Sequence, residues 1–171
     1  MTGRPIYIGL GGNLGEVAAN FSRTAETLGA LGRVAARSSI WRSVPLDVSG
    51  TQPDFLNAVL CLHSSLALPE VLRALQCIEA GAGRPLRRAR GSARTLDLDI
   101  LLAGARGEEI SSSPGLSVPH PRFAERDFVL WPLAEIAPEL RPGGASSIAE
   151  LRAQCIDRGL HRLDVPGWPG G

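Results

Sequence analysis

ARTLDLDILL, residues 93–102, sets two carboxylates into what is otherwise material for a buried strand. Successive side chains of a strand point to opposite faces, so Leu96, Leu98, Ile100 and Leu102 are expected on one face and Asp97 and Asp99 on the other. An aliphatic face needs helices packed over it. The acidic face, with its two carboxylates roughly 6–7 Å apart at Cα, is expected to stay uncovered. A strand divided this way implies a sheet with helices on one side.

The neighbouring segments agree with that picture. Phe55–His63 splits likewise, with Leu56, Ala58, Leu60 and Leu62 on one side and Phe55, Asn57, Val59, Cys61 and His63 on the other. Pro5–Leu10 reads as a first strand, ended by Gly11-Gly12-Asn13-Leu14-Gly15, a strand-to-helix corner in which Asn13 and Glu16 are placed to cap the helix. Val17, Phe21, Leu28 and Leu31 then recur at helical spacing. A second extended segment covers Val34–Leu46. Pro69 opens a second helix with an apolar stripe of Val71, Leu72, Leu75 and Ile78, and Gly81 and Gly83 mark its exit. After Leu102 come a Ser/Pro/Gly loop at 111–122, a helix near 127–137 and an amphipathic piece around Ser147–Ile156. The order is β-α-β-β-α-β plus C-terminal helices. It predicts an α+β, ferredoxin-like antiparallel sheet with helices on one face.

Composition limits the chemistry. The 171 residues suit one domain, and 44% hydrophobic content is enough for a core. A net charge of +1 argues against a surface that coats nucleic acid. All eighteen basic residues are Arg, which excludes the P-loop lysine, the protein-kinase Lys–Glu pair and every Schiff-base scheme. Cys61, Cys77 and Cys155 form no C-x-x-C pair and are expected to be reduced core thiols in a cytoplasmic protein. No signal-peptide pattern or long apolar run is present, so neither export nor a membrane span is expected.

Two carboxylates this close repel unless a cation lies between them or one is protonated. Hard oxygen ligands on a rigid strand suit Mg²⁺, which leaves its other positions to water and substrate phosphates. A solvated pair bridged to nearby arginines is the plainer alternative. Upstream, Arg84, Arg87, Arg88, Arg90 and Arg94 crowd eleven positions, with Gly83, Gly91 and Ser92 to let the loop move. Guanidinium groups bind phosphate oxygens bidentately, so such a loop is suited to close over a polyphosphate. The combination points to phosphoryl or nucleotidyl chemistry on Mg²⁺-ATP.

YIGLGGNLG (7–15), SSIWRSVPL (38–46), QPDFLNAVL (52–60), RTLDLDILL (94–102) and VPHPRFAERDFVLWPLAEIAPEL (118–140) together resemble, in order and spacing, the 6-hydroxymethyl-7,8-dihydropterin pyrophosphokinases of folate biosynthesis. The resemblance covers about residues 5–142, and its last two blocks carry most of its specificity. It implies a ferredoxin-like enzyme that transfers the terminal pyrophosphoryl unit of ATP to a pterin hydroxymethyl group and releases AMP. By that resemblance Asp97 and Asp99 hold two Mg²⁺ ions, with Arg84, Arg90 and Arg94 completing the catalytic set. The pterin stacks on Phe128, is walled by Phe55 and is read by Asn57, Asp97 and the chain at Ser43, Val44 and Leu46. ATP meets Gln76, Glu79, Arg94, Ile100, Ser117, His120 and Arg126. The implied partners are the pterin and ATP; charge and hydropathy lead to no expected nucleic acid or membrane, and a monomer is expected.

The chain departs from the family at several positions. Gly12 stands where Ser is usual, Val44 where Pro is frequent and Gly115 where some members carry Arg. The arginine loop, ending Arg90-Gly91-Ser92-Ala93-Arg94, lacks the usual aromatic, leaving Arg90 to stack on the ring instead. Two other classes stay open at this point. A nucleotidyltransferase would use the same acidic pair and release pyrophosphate. An RNA-binding sheet would need exposed strand aromatics, of which only Phe55 qualifies.

Overall fold

A computed structural model describes residues 3–45, 48, 50–83 and 92–168. The elements follow in the order β1 (Arg4–Gly12), α1 (Val17–Leu28), β2 (Arg33–Arg37), β3 (Ile40–Ser43), β4 (Phe55–Ser64), α2 (Leu68–Gly81) and β5 (Asp97–Ala103). A short hairpin, β6 (Ser111–Ser113) and β7 (Leu116–Val118), and a 3-10 turn, Phe123–Glu125, lead to α3 (Asp127–Ile136), α4 (Ile148–Gln154) and β8 (His161–Leu163). The main sheet runs β5-β1-β4-β3-β8, with β2 also pairing β4, and every described pairing is antiparallel.

The single extended segment expected at 34–46 is two strands. β2 pairs with the far end of β4 and β3 with its near end. Between them, Ser38 exchanges backbone bonds with Val59: its N–H donates to the Val59 carbonyl at 2.8 Å, and its hydroxyl oxygen accepts the Val59 N–H at 2.9 Å. A serine side chain thus fills the step in the ladder, which satisfies a buried donor that the break would otherwise orphan.

Both faces of the sheet are covered, which corrects the expectation of helices on one face. α1 and α2 pack over Ile6, Ile8, Leu10, Ala58, Leu60, Leu98 and Ile100. On the opposite face α3 buries Val129, Leu130 and Leu133 against Tyr7, Val59, Cys61, Leu101 and Leu102. α3 is apolar around most of its circumference, the pattern of a helix buried on all sides. Glu135 fixes it to β3 by accepting the Ser39 N–H at 2.6 Å and the Trp41 indole N–H at 2.9 Å.

β5 also differs from strict alternation. The register between β1 and β5 shifts between Tyr7 and Ile8, so Leu101 and Leu102 both face α3 while Ala103 returns to the α1–α2 side. Leu102 therefore lies on the face opposite to the one expected, because a bulge adds one residue to β5. Of the three free thiols, only Cys61 is buried; Cys77 is exposed and Cys155 half-buried, so the expectation of three core thiols fails for two. Among the described residues no helix is long and apolar enough to cross a membrane.

Candidate active site

The acidic face is built as two rows across the sheet. In one, Trp41, Asn57, Gly11 and Asp97 lie opposite one another on β3, β4, β1 and β5; in the next, Val59, Gly9 and Asp99 do. Glycine at position 11 leaves a trough between Asn57 and Asp97, whereas at Gly9 the Leu101 side chain already lies 3.3 Å from where a Cβ would sit. α3 covers the Tyr7 and Leu101 end of this face.

Asn57 is buried, and its amide Nδ2 donates to the Ser43 hydroxyl at 2.9 Å. Its Oδ1 is the atom nearest to where a Gly11 side chain would begin, so the acceptor faces the trough. A buried amide is costly unless it is paired. Phe55, half-buried at the start of β4, carries the Arg94 guanidinium over its ring at 5.1 Å. Arg94 Nη2 also lies 3.2 Å from Asp97 Oδ2, while its Nε is buried with no hydrogen-bond partner.

Arg94 is positioned by a residue that the sequence reading assigned elsewhere. Asn13 does not cap α1, whose N-cap is Glu16 with no side-chain bond. Instead Asn13 Oδ1 accepts the Arg94 N–H at 2.8 Å, and the Asn13 and Leu14 N–H groups donate to the Arg94 carbonyl at 2.8 and 3.0 Å. Asn13 Nδ2 donates to Gln52 Oε1 and to the Pro53 carbonyl, both at 3.1 Å. The end of β1, the approach to β4 and the approach to β5 are joined at this one side chain.

Charge gathers around Asp99. Burial pushes its carboxyl up from the ordinary value, and the Asp97 charge adds to this, while His120, Arg126 and Arg94 act against it. His120 is pushed down by burial and by Arg126 and Arg122, against the pull of Asp99. Its backbone N–H donates to the Leu101 carbonyl at 2.8 Å, and its Nδ1 accepts the Arg122 N–H at 3.1 Å, which leaves Nε2 as the protonated nitrogen of the neutral ring. Arg126 lies 5.5 Å over the Phe128 ring.

Most of the expected site residues meet. Asp99, Ile100, Ser117 and His120 line one cleft of about 380 Å³ with Leu72 and Gly115. Asn57 and Asp97 share the adjoining row, Ser43 and Phe55 pair with each other one step beyond it, Arg94 reaches from Phe55 to Asp97, and Arg126 and Phe128 stand at the start of α3. Ile100 itself packs into the α1–α2 core. Val44 is exposed next to β3, and Gln76 is exposed on α2. Glu79 is buried, and its Oε1 accepts the Leu98 N–H at 2.8 Å, an anchor between α2 and β5. Leu46, Arg84 and Arg90 lie outside the described residues.

The donor set fits magnesium. Two carboxylates share a face, and Asp99 is pushed up by burial first and by the Asp97 charge second. Among the described residues no group of three or more acidic, His or Cys side chains forms a closed cage. Few protein ligands and open positions for phosphate and water are what Mg²⁺ takes.

The sequence matches the family model described as 7,8-dihydro-6-hydroxymethylpterin-pyrophosphokinase over residues 7–138. A 2-amino-4-hydroxy-6-hydroxymethyldihydropteridine pyrophosphokinase from Pseudomonas aeruginosa is 41% identical over 165 residues, 92% of this chain and 96% of that relative. One from Synechocystis sp. is 40% identical over 150 residues, 86% of this chain and 74% of that relative. Among solved structures, a crystal structure of HPPK-DHPS in complex with substrates gives a TM-score of 0.71 at 13% identity, over 96% of this chain and 47% of that one. Wild-type HPPK-DHPS from Plasmodium falciparum gives 0.64 at 14% identity, over 90% and 45%. This chain spans under half the length of those two, and the likeness to them is one of fold.

Proposed function

The chain belongs to the 7,8-dihydro-6-hydroxymethylpterin-pyrophosphokinase family, and on that premise we propose how its residues move pyrophosphate from ATP to the pterin hydroxymethyl group in folate biosynthesis. The strand order supports the ferredoxin-like arrangement: with β2 and β3 counted as one strand, the sheet reads fourth, first, third, second.

The pterin lies over the trough floored by Gly11, with Phe55 and Phe128 as apolar walls. Its N–H-rich edge donates to Asn57 Oδ1, which faces that space because Ser43 holds Nδ2. The ATP phosphates run along the Asp99 side toward the cleft of His120 and Ser117. His120 presents a neutral Nε2–H donor there, and the guanidinium groups of Arg126 and Arg94 supply charge-assisted bonds to phosphate oxygens.

The hydroxymethyl oxygen then attacks the β-phosphorus in line, a new O–P bond forms, and the bond to the α-phosphate oxygen breaks to release AMP. Asp97, in the same row as Asn57, is the carboxylate available to take the hydroxyl proton. Asp97 and Asp99 are the residues that would hold two Mg²⁺ ions. Bound there, Mg²⁺ supplies neutralisation of the phosphate charge. The protein's share of the acceleration is positioning and preorganised charge.

The observation that carries this reading is the single row of Asn57, Gly11 and Asp97, which sets a pterin-reading amide beside a metal-type carboxylate. Incubation with Mg²⁺-ATP and 6-hydroxymethyl-7,8-dihydropterin should yield AMP, and Asp97→Ala and Asp99→Ala should abolish it. Release of pyrophosphate in place of AMP would overturn the reading in favour of nucleotidyl transfer.

A further inference from the structure

The chain beyond residue 143 lies outside the resemblance drawn from the sequence, yet it touches the site through one side chain. Asp127, 1% exposed, is the first residue of α3 and stands between Arg126 and Phe128. Its Oδ1 accepts the Phe128 N–H at 2.9 Å. Its Oδ2 accepts the Arg158 N–H at 2.9 Å, and the Arg158 guanidinium lies 3.7 Å from Oδ1. The Arg158 segment is itself ordered, since Asp157 Oδ1 accepts the Gly159 and Leu160 N–H groups and Leu160 is buried in the cluster that holds Val129 and Leu130.

Satisfying a helix start needs no buried charge, because an uncharged Ser, Thr or Asn caps as well. A carboxylate with this little exposure is stable only when paired and hydrogen-bonded. Here both oxygens are used, one on α3 and one on a strand approach about thirty residues downstream. The backbone at 126–128 is thereby fixed from two sides, and the residues flanking Asp127 are those aimed at the substrates. Arg126 acts on Asp99, and its guanidinium stacks on Phe128.

We propose that Asp127 is a positioning residue, through which the segment around Arg158 holds Phe128 and Arg126 in register with the pterin and the phosphates. The inference rests on Phe128 being a wall of the pterin site. It gives the C-terminal segment a part in substrate affinity that its distance in sequence from the acidic pair conceals.

The test compares Asp127→Asn, Arg158→Ala and Phe128→Ala by steady-state kinetics with both substrates and by thermal melting. Asn keeps the shape and one acceptor but removes the charge and turns an N–H toward the Arg158 N–H. Asp127→Asn should raise KM for the pterin about ten-fold, with kcat changed less than about two-fold, the size expected for a lost charge-assisted bond that orients a binding wall. Arg158→Ala, whose side chain is partly exposed, should give a smaller rise in the same constant and remain folded. KM does not depend on the fraction of folded enzyme, so a purely structural role would lower the melting temperature and leave KM alone. If Phe128→Ala raises the pterin KM and neither of the other variants does, the inference fails alone. If Phe128→Ala leaves that KM unchanged, the site reading fails and the inference fails with it.

Discussion

Gly11 shows how a single missing side chain bears on function. Its backbone is ordinary extended strand, and a Cβ built there meets only Asn57 Oδ1, at 3.7 Å. Nothing in the protein therefore requires glycine, which is unfavourable inside a strand. Gly12 differs, because its Cβ would lie 2.8 Å from the Thr95 carbonyl oxygen. Gly11→Ala should leave stability unchanged or raise it by about 0.4–1 kcal/mol, while the added methyl between Asn57 and Asp97 lowers kcat/KM at least about ten-fold. Thermal melting and the AMP assay on one preparation check both halves, and full activity would show that no substrate lies over Gly11. The acidic pair invites the converse experiment. Asp99 has a raised pKa in the fold, so its ionisation opposes folding at neutral pH, and the penalty vanishes below the ordinary carboxylate value near pH 4. Asp99→Asn should therefore melt at a higher temperature than the parent at pH 7 without Mg²⁺, lose the difference near pH 4, and be inactive. Sequence showed the acidic pair, since two carboxylates in an aliphatic run have few other uses. It did not show Gly11, because a strand ending in two glycines reads equally well as a corner.

At the scale of elements, the glycine block, the approach to β4 and the approach to β5 meet at Asn13, and Arg94 depends on that junction. Asn13→Ala removes one acceptor from the Arg94 N–H and two donors from Gln52 and Pro53 in a buried site. It should cost about 2–4 kcal/mol, the sum of a few net hydrogen bonds and an unsatisfied donor. It should also lower kcat as Arg94 loses its fixed origin. Urea unfolding with the AMP assay separates the two effects, and a variant with parental stability would show that the junction is not where Arg94 is held. Sequence placed Asn13 as a helix cap because Asn before a helix usually is one. The competing partners lie 39 and 81 residues away in sequence, beyond any local pattern. The bulge in β5 escaped for a related reason. When Leu101 and Leu102 are both aliphatic, an extra residue leaves no mark on the alternation, and both faces were ready to bury it.

For the whole molecule, the open sheet face implied by the acidic strand is only half open, and the reason lies in the chain after β5. α3 is too apolar to remain in solvent and settles over Tyr7, Val59 and Leu101, leaving the Asn57–Gly11–Asp97 row at its N-terminal end. The last described residues close the other face. Trp168 is 6% exposed, its ring centroid is 6.0 Å from that of Phe21 on α1, and the Arg37 guanidinium lies 5.4 Å above it. Its indole N–H donates at 2.8 Å to the carbonyl of Ser38, the residue that bridges the step between β2 and β3. The tail therefore packs a core helix and fixes the break in the sheet, while β8 adds a strand beside β3. None of this was legible, because a tryptophan in the Pro- and Gly-rich ending VPGWPG has no periodicity to place it. Trp168→Ala should cost about 3–5 kcal/mol, as large-to-small changes in buried aromatic sites do, and the measure is the urea midpoint at constant slope. The folded variant should keep the parental pterin KM, since Trp168 packs on the α1 side of the sheet and the site is on the other. Unchanged stability would mean the tail is not docked in solution; a raised KM would mean that the step at Ser38, two residues from β3, transmits to Ser43 and Asn57.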